Sequence, residues 1–349
     1  MVYSLPGSHS QKPDLAGCGS PTAPGIFLGG THAPHYTAPM KTVIGSCLIA
    51  LFASVATATD NTNLNVVIVV IDGPRYTETW GEANHAHIPV LSKKLAPLGA
   101  VNTNFFNDGV TKTIPGHTAI TAGHYQQISN TGRENPTHPT LLQRVRKHAN
   151  LPVNKVWLIA TKDKLEVLSN TTDKTWKGQY MPATWCGKKG KGLRSGYGND
   201  ADTIQEVVRV IKEHQPRLLV VNFREPDSSG HRRKWDSYLK GIRDTDAYLG
   251  TIYDTIQSTP GMKDNTILFM SNDHGRHLDD VKDGFVNHGC DCKGCRHIVL
   301  YATGPGIKKG AIIGTQRGQI DIAATTAHIF GLTIETAKGK VMTELFESN

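Results

Sequence analysis

Three aspartates and three histidines in this chain stand beside the ends of apolar runs. Asp72 closes the run NVVIVVI at 65–71. Asp227 and His231, spaced D-x-x-x-H, follow RLLVVNF at 217–223. The pair Asp273-His274 follows TILFMS at 266–271, and His288 shortly precedes HIVLYA at 297–302. Carboxylate oxygens and imidazole nitrogens in that number suit two zinc-like divalent ions. A seventh residue, Thr113, lies in DGVTKTIPGHTAITAG at 108–123, between Lys112 and a Pro-Gly turn that opens a small-residue helix. Thr113 reads either as a helix N-cap or as a nucleophile. The aspartates also have plain readings: Asp72 as a turn cap, Asp227 as the N-cap of a following helix. Only their convergence at one place would make chemistry of them.

What must gather them is a sheet. The β-branched run 65–71 has the character of a strand buried on both faces. Further strands are expected at 100–108, 155–161, 217–223, 266–271 and 297–302. Helices are expected at 89–98, after Pro115, at 140–148, at 202–214, at 235–256 and at 321–332. In the 202–214 helix, Ile204, Val207, Val208 and Ile211 share one face. Residues 165–200, rich in Gly, Lys, Thr and Trp, read as a small irregular cap excursion. Strands alternating with helices predict an α/β fold, a mostly parallel central sheet covered by helices on both faces. In such a sheet ligands bind outside the carboxyl ends of the strands.

The 349 residues allow one large domain or two smaller ones. Net charge is +8 with no long basic run and no basic–aromatic interleaving, so no nucleic-acid-binding module is evident. Residues 1–39 carry Gly, Pro, Ser and His without periodicity and read as a disordered upstream extension. Met40-Lys41, an apolar run to Val55 and Ala56-Thr57-Ala58 read as a signal peptide over 40–58. The expectation is a periplasmic or secreted catalytic domain at 59–349 with no transmembrane anchor after cleavage. Four cysteines fall in that domain: Cys186, Cys290, Cys292 and Cys295. Export points to two disulfides stapling the 165–200 excursion to the His288 loop. Cys186 with C-x-C-x-x-C fits a structural zinc as the alternative.

The order Asp72, TKTIPGH at 111–117, Asp227-x-x-x-His231, Asp273-His274 and His288 resembles the alkaline phosphatase superfamily of metal-dependent phospho- and sulfohydrolases. The resemblance spans nearly all of 59–349, including ATGPGIKKG and QIDIAATTAHIFGL near the end. T-x-P-G-H is similar to single-domain, phosphate-insensitive bacterial alkaline phosphatases with a threonine nucleophile. The resemblance implies that Asp227, His231 and His288 hold one ion. Asp72, Asp273, His274 and Thr113 would hold the other, with both ions expected to be zinc. It also implies a covalent phosphothreonine at Thr113, whose hydroxyl is activated by the ion. The helix behind it would present free N–H groups to the phosphate.

Lys162 and Lys164 in ATKDKLEVLSN are similar to a K-x-R pair that grips the non-bridging oxygens of a phosphomonoester in those phosphatases. Two solvated surface lysines are the plain reading. Asn135, or Asn130, is the candidate for a further substrate contact. The related diesterases carry an asparagine directly after the loop proline, where this chain has Gly116. The sulfatase pattern of Cys or Ser followed by x-Pro-x-Arg is absent from the nucleophile segment. These features favour a phosphomonoesterase acting on a small phosphorylated substrate over a phosphodiesterase or nucleotide pyrophosphatase. A non-catalytic secreted binding protein on the same fold is the reading from another class. His117 and His277 are expected to support or pack beside the site, and His297, at the start of a strand, to be structural.

Overall fold

The computed structural model describes residues 64–348; the expected upstream extension at 1–39 and signal peptide at 40–58 lie outside them. Every strand expected from the apolar runs is present: β1 (Asn65–Asp72), β2 (Gly99–Phe106), β3 (Val156–Ala160), β5 (Leu218–Pro226), β6 (Thr266–Asn272) and β7 (His297–Thr303). Three short strands join them: β4 (Ala183–Cys186), β8 (Ala311–Ile313) and β9 (Arg317–Gly318). They form one sheet in the order β4-β3-β5-β1-β6-β7-β2-β8, with β9 paired to β2. All pairings are parallel except those of β7, which runs antiparallel to both β6 and β2.

The alternation along β1 shows why the run is apolar throughout. Val66, Ile68 and Val70 enter a core with Ile114, Ile120, Leu141 and Ile322. Those residues belong to the helices α1 (Thr113–Ala122), α2 (Leu141–His148) and α7 (Ile320–Ile329). Val67, Val69 and Ile71 enter the core on the opposite face with Val207, Ile211, Tyr238 and Leu249. There the helices are α3 (Asp200–His214) and α5 (Trp235–Ser258). Two short helices complete the set, α4 (Asp227–His231) and α6 (Lys293–Arg296). No helix among the described residues is long and apolar enough to cross a membrane.

Three expectations need correction. Residues 89–98 do coil, but as a wide π turn at Val90–Leu95 followed by a 3-10 turn at Ala96–Leu98, where Pro97 interrupts regular α hydrogen bonding. The stretch 165–200 is not wholly irregular. It contains β4, which extends the sheet edge beside β3, and part of a 3-10 helix at Asp163–Ser169. The expected disulfides are absent: Cys186, Cys290, Cys292 and Cys295 are all free thiols. Cys186 ends the edge strand β4, five strand steps from β7, next to which the other three lie. At about 4.8 Å per step that is roughly 24 Å, beyond the reach of any disulfide.

Candidate active site

The topology explains the gathering. β3, β5, β1 and β6 are neighbours and parallel, so their carboxyl ends share one edge. Lys162 follows β3, Asp227 follows β5, Asp72 ends β1, and Asp273-His274 follow β6. β7 runs the other way, so the loop before it delivers His288 to the same edge. β2 is antiparallel to β7, so its exit returns there and leads to Thr113 at the start of α1.

Two sets of donors result. In the first, His274 Nε2 lies 3.6 Å from Asp72 Oδ1 and 3.5 Å from Asp273 Oδ2. Each of these three atoms is buried and has no hydrogen-bond partner among the described residues. His274 Nδ1–H donates to the Gly275 carbonyl at 2.8 Å, which leaves the Nε2 lone pair free. In the second set, Asp227 Oδ1 lies 3.4 Å from His231 Nε2 and 3.5 Å from His288 Nε2, and the two ring nitrogens are 3.1 Å apart. His288 Nδ1–H donates to the Thr111 carbonyl at 2.8 Å. Donors at about 2.0–2.1 Å around one tetrahedral ion stand roughly 3.3 Å apart along the tetrahedron's edges. The two distances from His274 Nε2 and the three in the second set match that spacing, and a buried imidazole lone pair facing two carboxylate oxygens is a place for a cation. The residues present therefore fit two zinc-type ions.

The imidazoles are in the state a ligand requires. Burial pulls His274, His231 and His288 below the ordinary histidine value, His288 to about 2, the neighbouring His274 adding to the fall. All three are neutral near neutrality. Burial, with the charge of Asp273, pushes Asp72 well above the usual carboxylate range. Burial acts in the same direction on Asp227, but the charges of Lys162 and Arg276 outweigh it and hold this carboxyl well below that range.

Lys162 is not a surface lysine. Its side chain is buried, and Nζ donates to Asp227 Oδ2 at 2.7 Å, lies 2.8 Å from Asp72 Oδ2, and donates to Thr113 Oγ1 at 3.2 Å. Burial alone would favour the neutral amine, but Asp227 and Asp72 hold its pKa above the ordinary lysine value. Lys164 lies further out, donating to Asn130 Oδ1 at 3.2 Å. Burial, and next the charge of Lys162, bring Lys164 down to about 8. Thr113, Asn130, Lys162, Lys164, Tyr197 and His288 all line one cleft of about 270 Å³.

Asn135 is not part of it. Its Nδ2 donates to the Val167 carbonyl at 2.9 Å, which ties it to the 3-10 helix after β3. Asn130 stands in the cleft instead, its Oδ1 accepting from the Ile114 amide at 2.9 Å. That bond also narrows the expectation of free N–H groups at the helix terminus to the N–H of Thr113. Ile114 N–H is taken by Asn130, Pro115 has none, and Gly116 N–H donates to the Lys112 carbonyl at 2.9 Å. Gly116 packs its backbone on Asp273, and a Cβ there would meet the Asp273 carbonyl oxygen at 2.4 Å. Close packing, not substrate contact, explains the glycine.

His117 supports the site as expected. Its Nδ1–H donates to the Thr113 carbonyl at 2.8 Å, and its Nε2 accepts from Asn222 Nδ2 at 3.1 Å. His297 is remote from the chemistry, stacked on Tyr76 and Phe106. The residue missed by sequence reasoning is Arg276. Fully buried, it pairs with Asp227, donates to the carbonyls of Phe285 and Val286, and lies 3.4 Å from His231 Nδ1. Its position two residues after the Asp-His pair was the only available signal.

Residues 186–334 match the profile of the Metalloenzyme superfamily. Phosphopentomutase from Clostridium novyi (strain NT) is 29% identical over 144 residues, which are 40% of this chain and 33% of that protein. The chain thus matches about a third of the length of such curated relatives. Among solved structures, a phosphonate monoester hydrolase from Silicibacter pomeroyi superposes with a TM-score of 0.62 at 14% identity, covering 81% of this chain and 76% of that one. Murine ectonucleotide pyrophosphatase/phosphodiesterase 5 superposes with a TM-score of 0.56 at 16% identity, over 81% of this chain and all of that one. At such identities the likeness is one of fold, and the fold is alkaline phosphatase-like.

Proposed function

We propose that this chain is an exported, two-metal phosphohydrolase that cleaves phosphomonoesters through a covalent phosphothreonine at Thr113. The observation that carries the reading is the placement of the Thr113 hydroxyl, 3.2 Å from the Lys162 ammonium, in a cleft walled by the two donor sets. Asp72, Asp273 and His274, with Thr113, would hold one ion, and Asp227, His231 and His288 the other. When bound, the ions supply Lewis-acid charge for the attacking and leaving oxygens. Thr113 Oγ1 attacks phosphorus as its hydroxyl proton is lost to water, the Oγ1–P bond forms, the ester P–O bond breaks, and the leaving oxygen takes up a proton from water to depart as the alcohol. Lys162 stabilises the developing charge on the threonine oxygen, and Lys164 and Asn130 orient the phosphoryl oxygens. Water then hydrolyses the phosphothreonine to release phosphate.

A monoester dianion needs more cationic compensation than a diester monoanion, and two lysines in one cleft supply it. Lys164→Ala should therefore lower kcat/KM about ten- to a hundredfold on a phosphomonoester and distinctly less on a phosphodiester. Parallel rates on a phosphomonoester, a phosphodiester and a sulfate ester test the assignment. Equal losses on the first two esters would place the diesterase reading ahead.

The pH dependence follows from the same lysine. Lys164 is cationic below its pKa of about 8 and neutral above it. Its grip on an anionic substrate is present below that pH and fades as pH rises through it. KM for a monoester should rise above pH 8 in the parent enzyme, and Lys164→Arg, which stays charged, should remove that rise. A KM profile indifferent to the substitution would assign the titration elsewhere.

The likeness to phosphopentomutases favours a second reading, in which the phosphoryl group passes to another hydroxyl of the same sugar phosphate instead of to water. Incubation with a pentose phosphate separates the two: free phosphate supports hydrolysis, and an isomeric phosphate supports transfer.

A further inference from the structure

A second kind of donor cluster lies outside the cleft. A ring nitrogen of His277 and the thiols of Cys290, Cys292 and Cys295 all lie within 4.8 Å of one another. His277 is buried, its Nδ1–H donates to the Lys282 carbonyl at 2.7 Å, and its Nε2 has no hydrogen-bond partner. A carbonyl can only accept, so the proton is on Nδ1 and the lone pair is on Nε2, the ring nitrogen left free to bind a metal. Cys290 Sγ and Cys295 Sγ are 3.9 Å apart. A disulfide requires about 2.05 Å. The edge of a tetrahedron around an ion with Zn–S bonds of about 2.3 Å is roughly 3.8 Å. Three sulfurs cannot all pair with one another, and Cys186 is across the sheet.

The backbone is built to hold this arrangement. Cys292 caps α6 and Cys295 lies within it, one turn apart, and the Cys292 amide donates to Cys290 Sγ at 3.4 Å. The segment carrying His277 is pressed against the same turn. Gly275 N–H donates to the Cys295 carbonyl at 2.8 Å. A Cβ on Gly275 would meet the Gly294 carbonyl oxygen at 2.0 Å, and one on Gly294 would meet the Arg276 carbonyl oxygen at 2.4 Å. No side chain fits between the two strands of backbone, which brings His277 onto the cysteines.

We propose that His277, Cys290, Cys292 and Cys295 form a closed structural zinc site, separate from the two Asp/His donor sets. A four-ligand Cys₃His set with no open position is the structural kind. What it fastens is the catalytic edge. One ligand follows Asp273-His274 by three residues, and Cys290 follows His288 by two. The Cys290 carbonyl accepts from Thr111 Oγ1 at 2.9 Å, two residues before Thr113. The site therefore ties together three segments that carry cleft residues.

Cobalt substitution of the full-length chain tests this independently of activity. Thiolate-to-cobalt charge transfer absorbs in the near ultraviolet, and sites of oxygen and nitrogen donors lack that band. The band is expected in the parent chain and in Cys186→Ser, and is expected to vanish in Cys292→Ser. Titrating the zinc form with an organomercurial should release one ion per chain. Absence of the band from the parent chain, its loss in Cys186→Ser, or a Cys290–Cys295 disulfide found by peptide mass mapping would overturn the proposal. The parent spectrum decides the matter even if Cys292→Ser fails to fold.

Discussion

Thr113→Ala is expected to lower kcat on a phosphomonoester by at least about a thousandfold while the protein stays folded. The hydroxyl accepts from Lys162, and among the described residues no other hydroxyl lining the cleft is so bonded. Ser228 also lines the cleft and carries a hydroxyl, which makes it the internal control. Ser228→Ala should stay within about tenfold of the parent, since among the described residues it is Thr113, not Ser228, whose hydroxyl accepts from Lys162. Thr113→Ser should retain part of the activity, because it keeps the oxygen and loses only a methyl group. Acid quenching during turnover of a ³²P-labelled monoester should trap label on Thr113. If Thr113→Ala fell less than tenfold, or the label mapped to Ser228, the assigned nucleophile would be wrong.

Arg276→Met should destabilise the fold by about 3–5 kcal/mol, read as a lower urea midpoint with unchanged slope. The guanidinium is fully buried and answers to a carboxylate and two backbone carbonyls. Methionine fills much of the volume but donates nothing, so the carbonyls of Phe285 and Val286 lose their buried partner. Asp227 keeps Lys162, which limits the cost at the carboxylate. The segment 285–288 also loses its tether, so His288 should be misplaced and kcat should fall along with stability. A midpoint unchanged from the parent would mean that the ion pair contributes no net stability, and that the tether is not what places His288.

The architecture was largely legible because each central strand is buried on both faces and so is apolar throughout. The candidate metal donors were legible for a related reason: polar residues directly beyond such runs sit at the sheet edge. What escaped depended on contacts between loops. β4 has four residues in a stretch otherwise rich in glycine and lysine, so no alternation marked it. Lys162 and Lys164 are two residues apart, yet one is buried among carboxylates and the other is nearer the mouth, a difference set by β5 and β1. Asn130 and Asn135 have the same side chain, and only the path of the loop brings one to Ile114 and the other to Val167. The cysteines were read with Cys186 as fourth partner because spacing counts cysteines; the partner in space is a histidine brought by the exit of β6.

The contact between Gly116 and the Asp273 carbonyl limits where this chain can travel by mutation. The asparagine that the resemblance to diesterases implies after the loop proline cannot be acquired here by exchanging one residue. Any side chain at that position displaces the backbone that carries Asp273 and, next to it, His274. An evolutionary or laboratory route towards diesters would have to move α1 away from the exit of β6 first, and intermediates on that route would have a disturbed donor set. Asn130, which accepts from the Ile114 amide, offers a side-chain amide in the cleft without a change at Gly116. Selection for a new ester class is therefore better directed at the loop carrying Asn130 than at the turn that bears the threonine.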